Sequence, residues 1–276
     1  MTENFFNLKT PKETQTYAKP IFLNMDYGQH LVRILGKPLQ VYIHWIPKAN
    51  LGIRCLGEEC PVCETNKKII LENPDNFRRE SNYFPRSSRH YLNVLDKSSV
   101  KVCPECQHEN KRMVNNQYPA VCKCGSMIAH VPETVSNKVK VANLSETTAA
   151  ELNAIHTSIL DEKGDIIGIN NFDILFVVTK VGDKKKISVV PITASQGGVE
   201  VPEESLYNLN NVPLTLSREE IIELVRGTSL RDIFAARNSV NKESEEPSET
   251  KEFSESTVKE LVDSLYAQGS FGFFSN

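Results

Sequence analysis

The chain reads as a mainly β protein with a few helices: a small Greek-key barrel that carries one metal-stabilised subdomain and one inserted metal ribbon. Three observations carry that reading. Short runs rich in branched residues recur and are bounded by Gly, Pro, Asn and Asp, as strands are. Residues 171–191 contain two such runs around Val181-Gly-Asp183, a β-hairpin signal. All seven cysteines fall into two groups with the spacing of four-ligand metal sites.

Residues 1–27 form a leader rich in Lys, Thr and Pro. His30 to Leu35 is the first expected strand, ended by Gly36-Lys-Pro38, and Gln40 to Ile46 is the second. In the second, Val41, Ile43 and Trp45 share one face, expected in the core, and Tyr42 and His44 share the other. Glu64 to Asn73 has the make-up of a short helix, Ser81 to Arg89 reads as a loop, and Arg89 to Leu95 is a third strand. Val100 to Val102 and Asn137 to Leu144 look like the two arms of a hairpin interrupted by residues 103–136. Ser145 is placed to cap a helix through Ile155, with Thr148 at the third position, so a full capping box is missing. The pattern suggests an oligonucleotide-binding type of barrel over 28–102 and 137–192. A helical extension follows over 193–238, broken near Gly227 and Ser229. Residues 239–256 hold almost nothing to bury and read as an acidic disordered linker. Residues 257–276 turn amphipathic, with Val258, Leu261, Val262 and Leu265 at helical spacing, then Tyr266, Phe271, Phe273 and Phe274.

Cys103-Pro-Glu-Cys106 and Cys122-Lys-Cys124-Gly125 are two short knuckles, each presenting two thiols. Cys55, Cys60 and Cys63 form the other group, with His44 eleven positions before Cys55. Zinc takes four thiolate or imidazole ligands in closed structural shells, so two structural zinc ions are expected. Four thiolates leave no position for a catalytic water. His30 and His90 compete with His44 for the fourth place in the first site.

The net charge is −3, but residues 242–263 hold eight acids against three lysines and carry −5, which leaves +2 for residues 1–241. No apolar run reaches the roughly 18–20 residues of a membrane span, and the N-terminus does not read as a signal peptide. Clustered CxxC pairs in such a chain favour metal over disulfides and a reducing compartment. The sequence holds no phosphate-cradling GxxxxGK[ST], no GxSxG, no HExxH, and no HxE beside a CxxC pair. A binding protein is expected rather than an enzyme.

Single strands of nucleic acid are held by cations along the phosphates and by aromatic faces on which bases stack. Arg78, Arg79, Tyr83, Phe84, Arg86, Arg89 and Tyr91 interleave both types in one short span. Tyr42 flanks His44, while Lys48, Arg54, Lys67 and Lys68 bracket the first cysteine group. Lys184, Lys185 and Lys186 add charge at the hairpin tip.

The order HLVRIL, VYIHW, CLGEECPVC, RHYLNVLD, KVKVANLS, TAAELNAI and FDILFVVTKVGDKKKISVVP resembles the tailed-bacteriophage single-stranded DNA-binding, or helix-destabilising, proteins. The resemblance covers roughly residues 28–192 apart from the ribbon. It implies an oligonucleotide-binding barrel, a structural zinc on His44, Cys55, Cys60 and Cys63, and a basic cleft beside it. Pro85 to Arg89 looks like the family's basic and hydroxyl segment that precedes a cleft strand. The resemblance also implies an acidic tail that recruits replication proteins during DNA replication, recombination and repair, in the cytoplasm of an infected bacterial host. The ribbon departs from the simplest family pattern. A second reading is therefore a phage transcription regulator that binds DNA and recruits RNA polymerase through its ribbon or tail.

Overall fold

A computed structural model describes residues 20–113, 117–195, 197 and 199–243. Thirteen strands and helices follow in order: β1 (Gly28–Ile46), β2 (Leu51–Arg54), α1 (Pro61–Glu72), β3 (Arg86–Asp96), β4 (Ser99–Val102), β5 (Glu109–Lys111), β6 (Thr134–Val135), β7 (Lys138–Ser145), α2 (Glu146–Ser158), β8 (Asp173–Val181), β9 (Lys184–Ile192), α3 (Arg218–Arg226) and α4 (Leu230–Glu243). The main sheet runs β7-β3-β1-β8-β9 with β2 added on β1, and a three-stranded sheet runs β5-β4-β6. The β1–β2, β1–β8, β3–β7 and β8–β9 pairings are antiparallel. The path of the main sheet is open, and among the described residues nothing closes it into a barrel.

The chain divides into two compact units. The first comprises Met1–Gln40 and Arg89–Val212, the second Val41–Ser88 and Pro213–Asn276. In the first, one sheet face buries Val32, Ile34, Leu92, Val94, Ala142, Leu144, Ile174 and Phe176, with Leu152 of α2 packed on them. Their two-residue spacing along each strand is what a half-buried sheet requires. Ser145 caps α2 by accepting the Thr148 N–H. The expected hairpin is present: Val181 pairs with Lys184, and Gly182 between them takes a φ of +61° that a two-residue turn demands.

Two local expectations are corrected. The Gly36-Lys-Pro38 stretch does not end a strand; β1 passes through it, with Gly36 at φ +71° allowing a local distortion. The hairpin interrupted by the ribbon is made by β3 and β7, which pair from Arg89↔Ser145 to Asp96↔Lys138. Val100 to Val102 pairs instead with β5 and β6. The reason is local: the chain must return from the first knuckle, and the nearest free edge is the strand that led into it.

In the second unit, Ile46, Leu51, Ile53, Val62, Phe84, Leu216, Ile221, Leu224, Ile233 and Phe234 form a separate core. α3 opens on a full capping box between Ser217 and Glu220, and Gly227 ends it at φ +111°. The break expected there is real. α4 then continues to Glu243, into the segment read as linker. No helix among the described residues is long and apolar enough to cross a membrane.

Candidate metal centres and nucleic-acid interface

The first centre is assembled by three successive elements of the second unit. His44 sits near the end of β1, Cys55 follows β2, Cys60 caps the N-terminus of α1, and Cys63 lies in its first turn. Their ligand atoms lie within 4.8 Å of one another. Cys63 Sγ is 3.3 Å from His44 Nε2 and 3.6 Å from Cys55 Sγ. A tetrahedron with bonds of about 2.0–2.3 Å has edges near these lengths, whereas a disulfide needs about 2.05 Å between sulfurs. The geometry suits a metal ion.

Ionisation agrees. Burial opposes the Cys60 thiolate, but backbone groups of Cys63, Leu56 and Val62 outweigh it and hold its pKa below the usual thiol value. Burial, reinforced by Cys55, pushes Cys63 up to about 12. Three clustered thiols cannot all ionise without a cation among them. Burial also lowers the His44 pKa, which keeps the imidazole neutral and available as a ligand.

The tautomer is set from behind. His44 Nδ1 lies 2.9 Å from the Phe84 carbonyl, so it carries the proton and leaves Nε2 facing the sulfurs. The buried Asn66 of α1 fixes that carbonyl: its Nδ2 donates to Phe84 O at 2.7 Å, and its Oδ1 accepts from Phe84 N at 3.1 Å. The rival histidines are engaged elsewhere. His30 contacts Asp26 O and Lys111 Nζ, and His90 contacts Glu146. Sequence reasoning missed Asn66. The only signal was an asparagine inside a helix, one turn beyond a cysteine.

The second centre, in the first unit, brings together Cys103, Cys106, Cys122 and Cys124. The Cys103–Cys124 and Cys106–Cys122 sulfur distances are both 3.6 Å. The two knuckles share a backbone device. Cys103 N–H donates to His108 O, and Cys122 N–H donates to Ser126 O. Each turn then uses a left-handed residue directly after its second cysteine, Gln107 at φ +57° and Gly125 at φ +93°. Hydrogen bonds from Ser126 hold Cys124 down to about 6, while for Cys106 a backbone hydrogen bond at His108 is outweighed by the neighbouring thiols, Cys124 first, and by burial, which together push it up to about 12. Cys103 and Cys122 are buried, Cys106 and Cys124 exposed. Both groups could hold metal ions.

The residues expected to contact nucleic acid divide clearly. Tyr42 is 42 % exposed, and the Arg86 guanidinium lies 3.6 Å from its ring centroid. Lys48, Lys67, Lys68, Arg78 and Arg79 are exposed, and Arg54 is half-buried. None of these seven cations, all in the second unit, is in a salt bridge among the described residues. Tyr83 is half-buried and meets Phe77 edge-on at 5.0 Å, with Arg78 beside the Phe77 ring.

Two expectations are corrected. Phe84 is only 5 % exposed and belongs to the core of the second unit; Tyr91 is 4 % exposed, and burial pushes its phenol up to about 12. Neither presents a face to a base. Both lie where the chain packs inward: Phe84 under α3, Tyr91 in the middle of the β3–β7 ladder. The 78–91 cluster is thus divided, with Arg89 and Tyr91 in the first unit and Arg89 half-buried. Trp45, expected in the core, is half-buried. At the β8–β9 tip, Lys184 and Lys186 are exposed, and half-buried Lys185 sits 5.8 Å over the exposed Tyr27 ring. Tyr27 had not been singled out. Val258, Leu261, Val262, Leu265, Tyr266, Phe271, Phe273 and Phe274 lie outside the described residues. No protein-family model and no curated protein matches the chain.

Proposed function

We propose that the protein binds single-stranded DNA without sequence specificity, coating strands in a phage replication and recombination system, with two structural zinc ions holding its loops. The observation that carries this reading is the Tyr42–Arg86 pair. An exposed ring already in contact with a guanidinium stands two residues from His44, on the strand that the first metal centre pins. A base stacking on such a platform and a phosphate meeting the arginine are the two contacts that single strands need. Placement rather than net charge supports the reading, because residues 41–88 hold seven basic against six acidic side chains. Cysteine and histidine donors at these spacings favour zinc, whose role in closed shells is to fold loops too small to fold alone. The open antiparallel sheet supports an oligonucleotide-binding type of architecture without a closed barrel.

The test is fluorescence titration of zinc-loaded protein with homopolymeric DNA, RNA and duplex DNA at two salt concentrations. Similar affinity for unrelated DNA single strands, weak duplex binding and a steep salt slope are expected. Preference for one duplex sequence would replace this reading with the transcriptional one.

A further inference from the structure

Beside the first metal centre, α1 and α3 leave an open cleft of about 170 Å³. Its walls are Pro61, Val62, Phe84, Ile221, Ile222 and Val225, with Arg226 at the rim. A dry apolar cavity of about 150 Å³ takes one benzene ring, so the cleft has the size and lining of a seat for one aromatic side chain. Nothing in the DNA-binding reading uses it.

We propose that the aromatic end of this same chain, Phe271 to Phe274, occupies that cleft. Three observations select this occupant. Three of the last six residues are phenylalanines, and the segment before them contributes no comparable ring cluster. The chain leaves the second unit through α4, which begins shortly after α3 and, with 14 residues, is roughly 21 Å long. Glu243 and Phe271 are 28 positions apart, a length of chain that can span up to about 90 Å, so the cleft is within reach. The tether is acidic, whereas Lys67 and Lys68 stand exposed on the helix that forms one wall, and Arg226 stands at the rim.

A second copy of the chain offers the same phenylalanines but competes poorly. Attachment to the same chain, where it reaches, supplies an effective concentration on the order of millimolar, far above micromolar protein in solution. Intramolecular seating therefore dominates in dilute protein. The inference is independent of whether the protein binds DNA.

Photo-crosslinking of the full-length, metal-loaded protein tests it. Phe273 is replaced by p-benzoylphenylalanine, the sample is irradiated at low micromolar concentration, and crosslinked peptides are mapped. The expected result is an intramolecular crosslink to residues 61–65 or 221–226, lost in the Ile222→Asp variant at unchanged metal content. Repeating the experiment with the probe at Phe271 should give the same target. Crosslinks between two chains, crosslinks mapping elsewhere, or none from either position would overturn the proposal without touching the DNA-binding reading.

Discussion

Asn66→Ala should loosen the first metal centre although Asn66 touches no ligand. Its carboxamide makes two hydrogen bonds to the backbone of Phe84, and the Phe84 carbonyl orients His44. At 9 % exposure, water does not readily replace the lost groups. Each of the two lost hydrogen bonds costs about 1 kcal/mol, and leaving the Phe84 N–H buried and unpaired adds about 1–3 kcal/mol, so destabilisation on the order of 3–5 kcal/mol is expected. Removing a partner that orients a metal-bound histidine typically lowers metal affinity about 10–100-fold. Competition against a chromophoric chelator, read separately for each site by cobalt substitution, measures that loss. The second centre in the same molecule is the internal control, since its four cysteines have no contact with Asn66. Unchanged affinity at the first centre, with chain stability lowered, would refute the coupling through Phe84. Equal losses at both would show only general unfolding.

Protein prepared without chelator should contain two zinc ions per chain, and metal analysis finding fewer would contradict the assignment. Tyr42→Ala should weaken binding of unrelated single strands by about 1–3 kcal/mol, the value of one stacked base, with little change in salt slope. Arg86→Ala should instead lower the salt slope by about one, as expected for one phosphate contact, and equal behaviour of the two variants would argue against the division of roles. His30 supplies a pH dependence. Burial, aided by Lys111, lowers its pKa from 6.5 to about 4. The fold therefore favours the neutral ring, and its stabilisation is complete above pH 6.5 and drains away as pH falls towards 4. The loss is about 3 kcal/mol across that window. Denaturant titrations should show His30→Gln losing that much less than the parent chain between pH 7 and pH 4. Parallel stability curves would refute it.

What the sequence made legible was mostly local. The two groups that could hold metal ions are given by spacing, because tetrahedral coordination limits the loop between donors. The β8–β9 hairpin is given by its alternation and by Gly182, which takes the left-handed backbone of the turn at little cost. The break after α3 is written in Gly227, whereas the capping box of Ser217 and Glu220 that opens the helix was not read from the sequence. What escaped is set by packing between distant segments. Tyr91 and Tyr42 are indistinguishable as residues in β-like runs, yet one is buried in the β3–β7 ladder and the other is exposed. Phe84 lies in an arginine-rich loop sequence, and its burial follows from α3, more than 130 residues later. Strand pairing escaped for the same reason: alternation says that residues 100–102 are a strand but does not say which neighbour they choose.

The same logic explains how a ribbon can be inserted between β3 and β7 and still hold one orientation. The ladder itself is indifferent to what joins its strands, since its eight residue pairs are complete without the ribbon. Orientation comes from a buried ionic lattice at the ladder's end. Lys140 of β7 bonds Asp96 of β3 at 2.9 Å and Glu109 of β5 at 2.7 Å, while Lys111 of β5 reaches Asp96 at 3.1 Å. Two residues of the ribbon thus close charge pairs with the sheet. Burial alone would raise the Asp96 pKa, but the two lysines and the Ser98 N–H bring it down to about 2, so the carboxylate stays ionised. Buried charges are weak as a source of stability but costly to leave unpaired, which makes them selective. A ribbon rotated away would leave Asp96 and Lys140 only each other, taking Lys111 from Asp96 and Glu109 from Lys140. Gly28 adds a steric condition, since a Cβ there would stand 3.1 Å from the carbonyl of Arg112 in the ribbon. The insertion is therefore tolerated by the ladder and aimed by the lattice, and these two requirements fall on different residues.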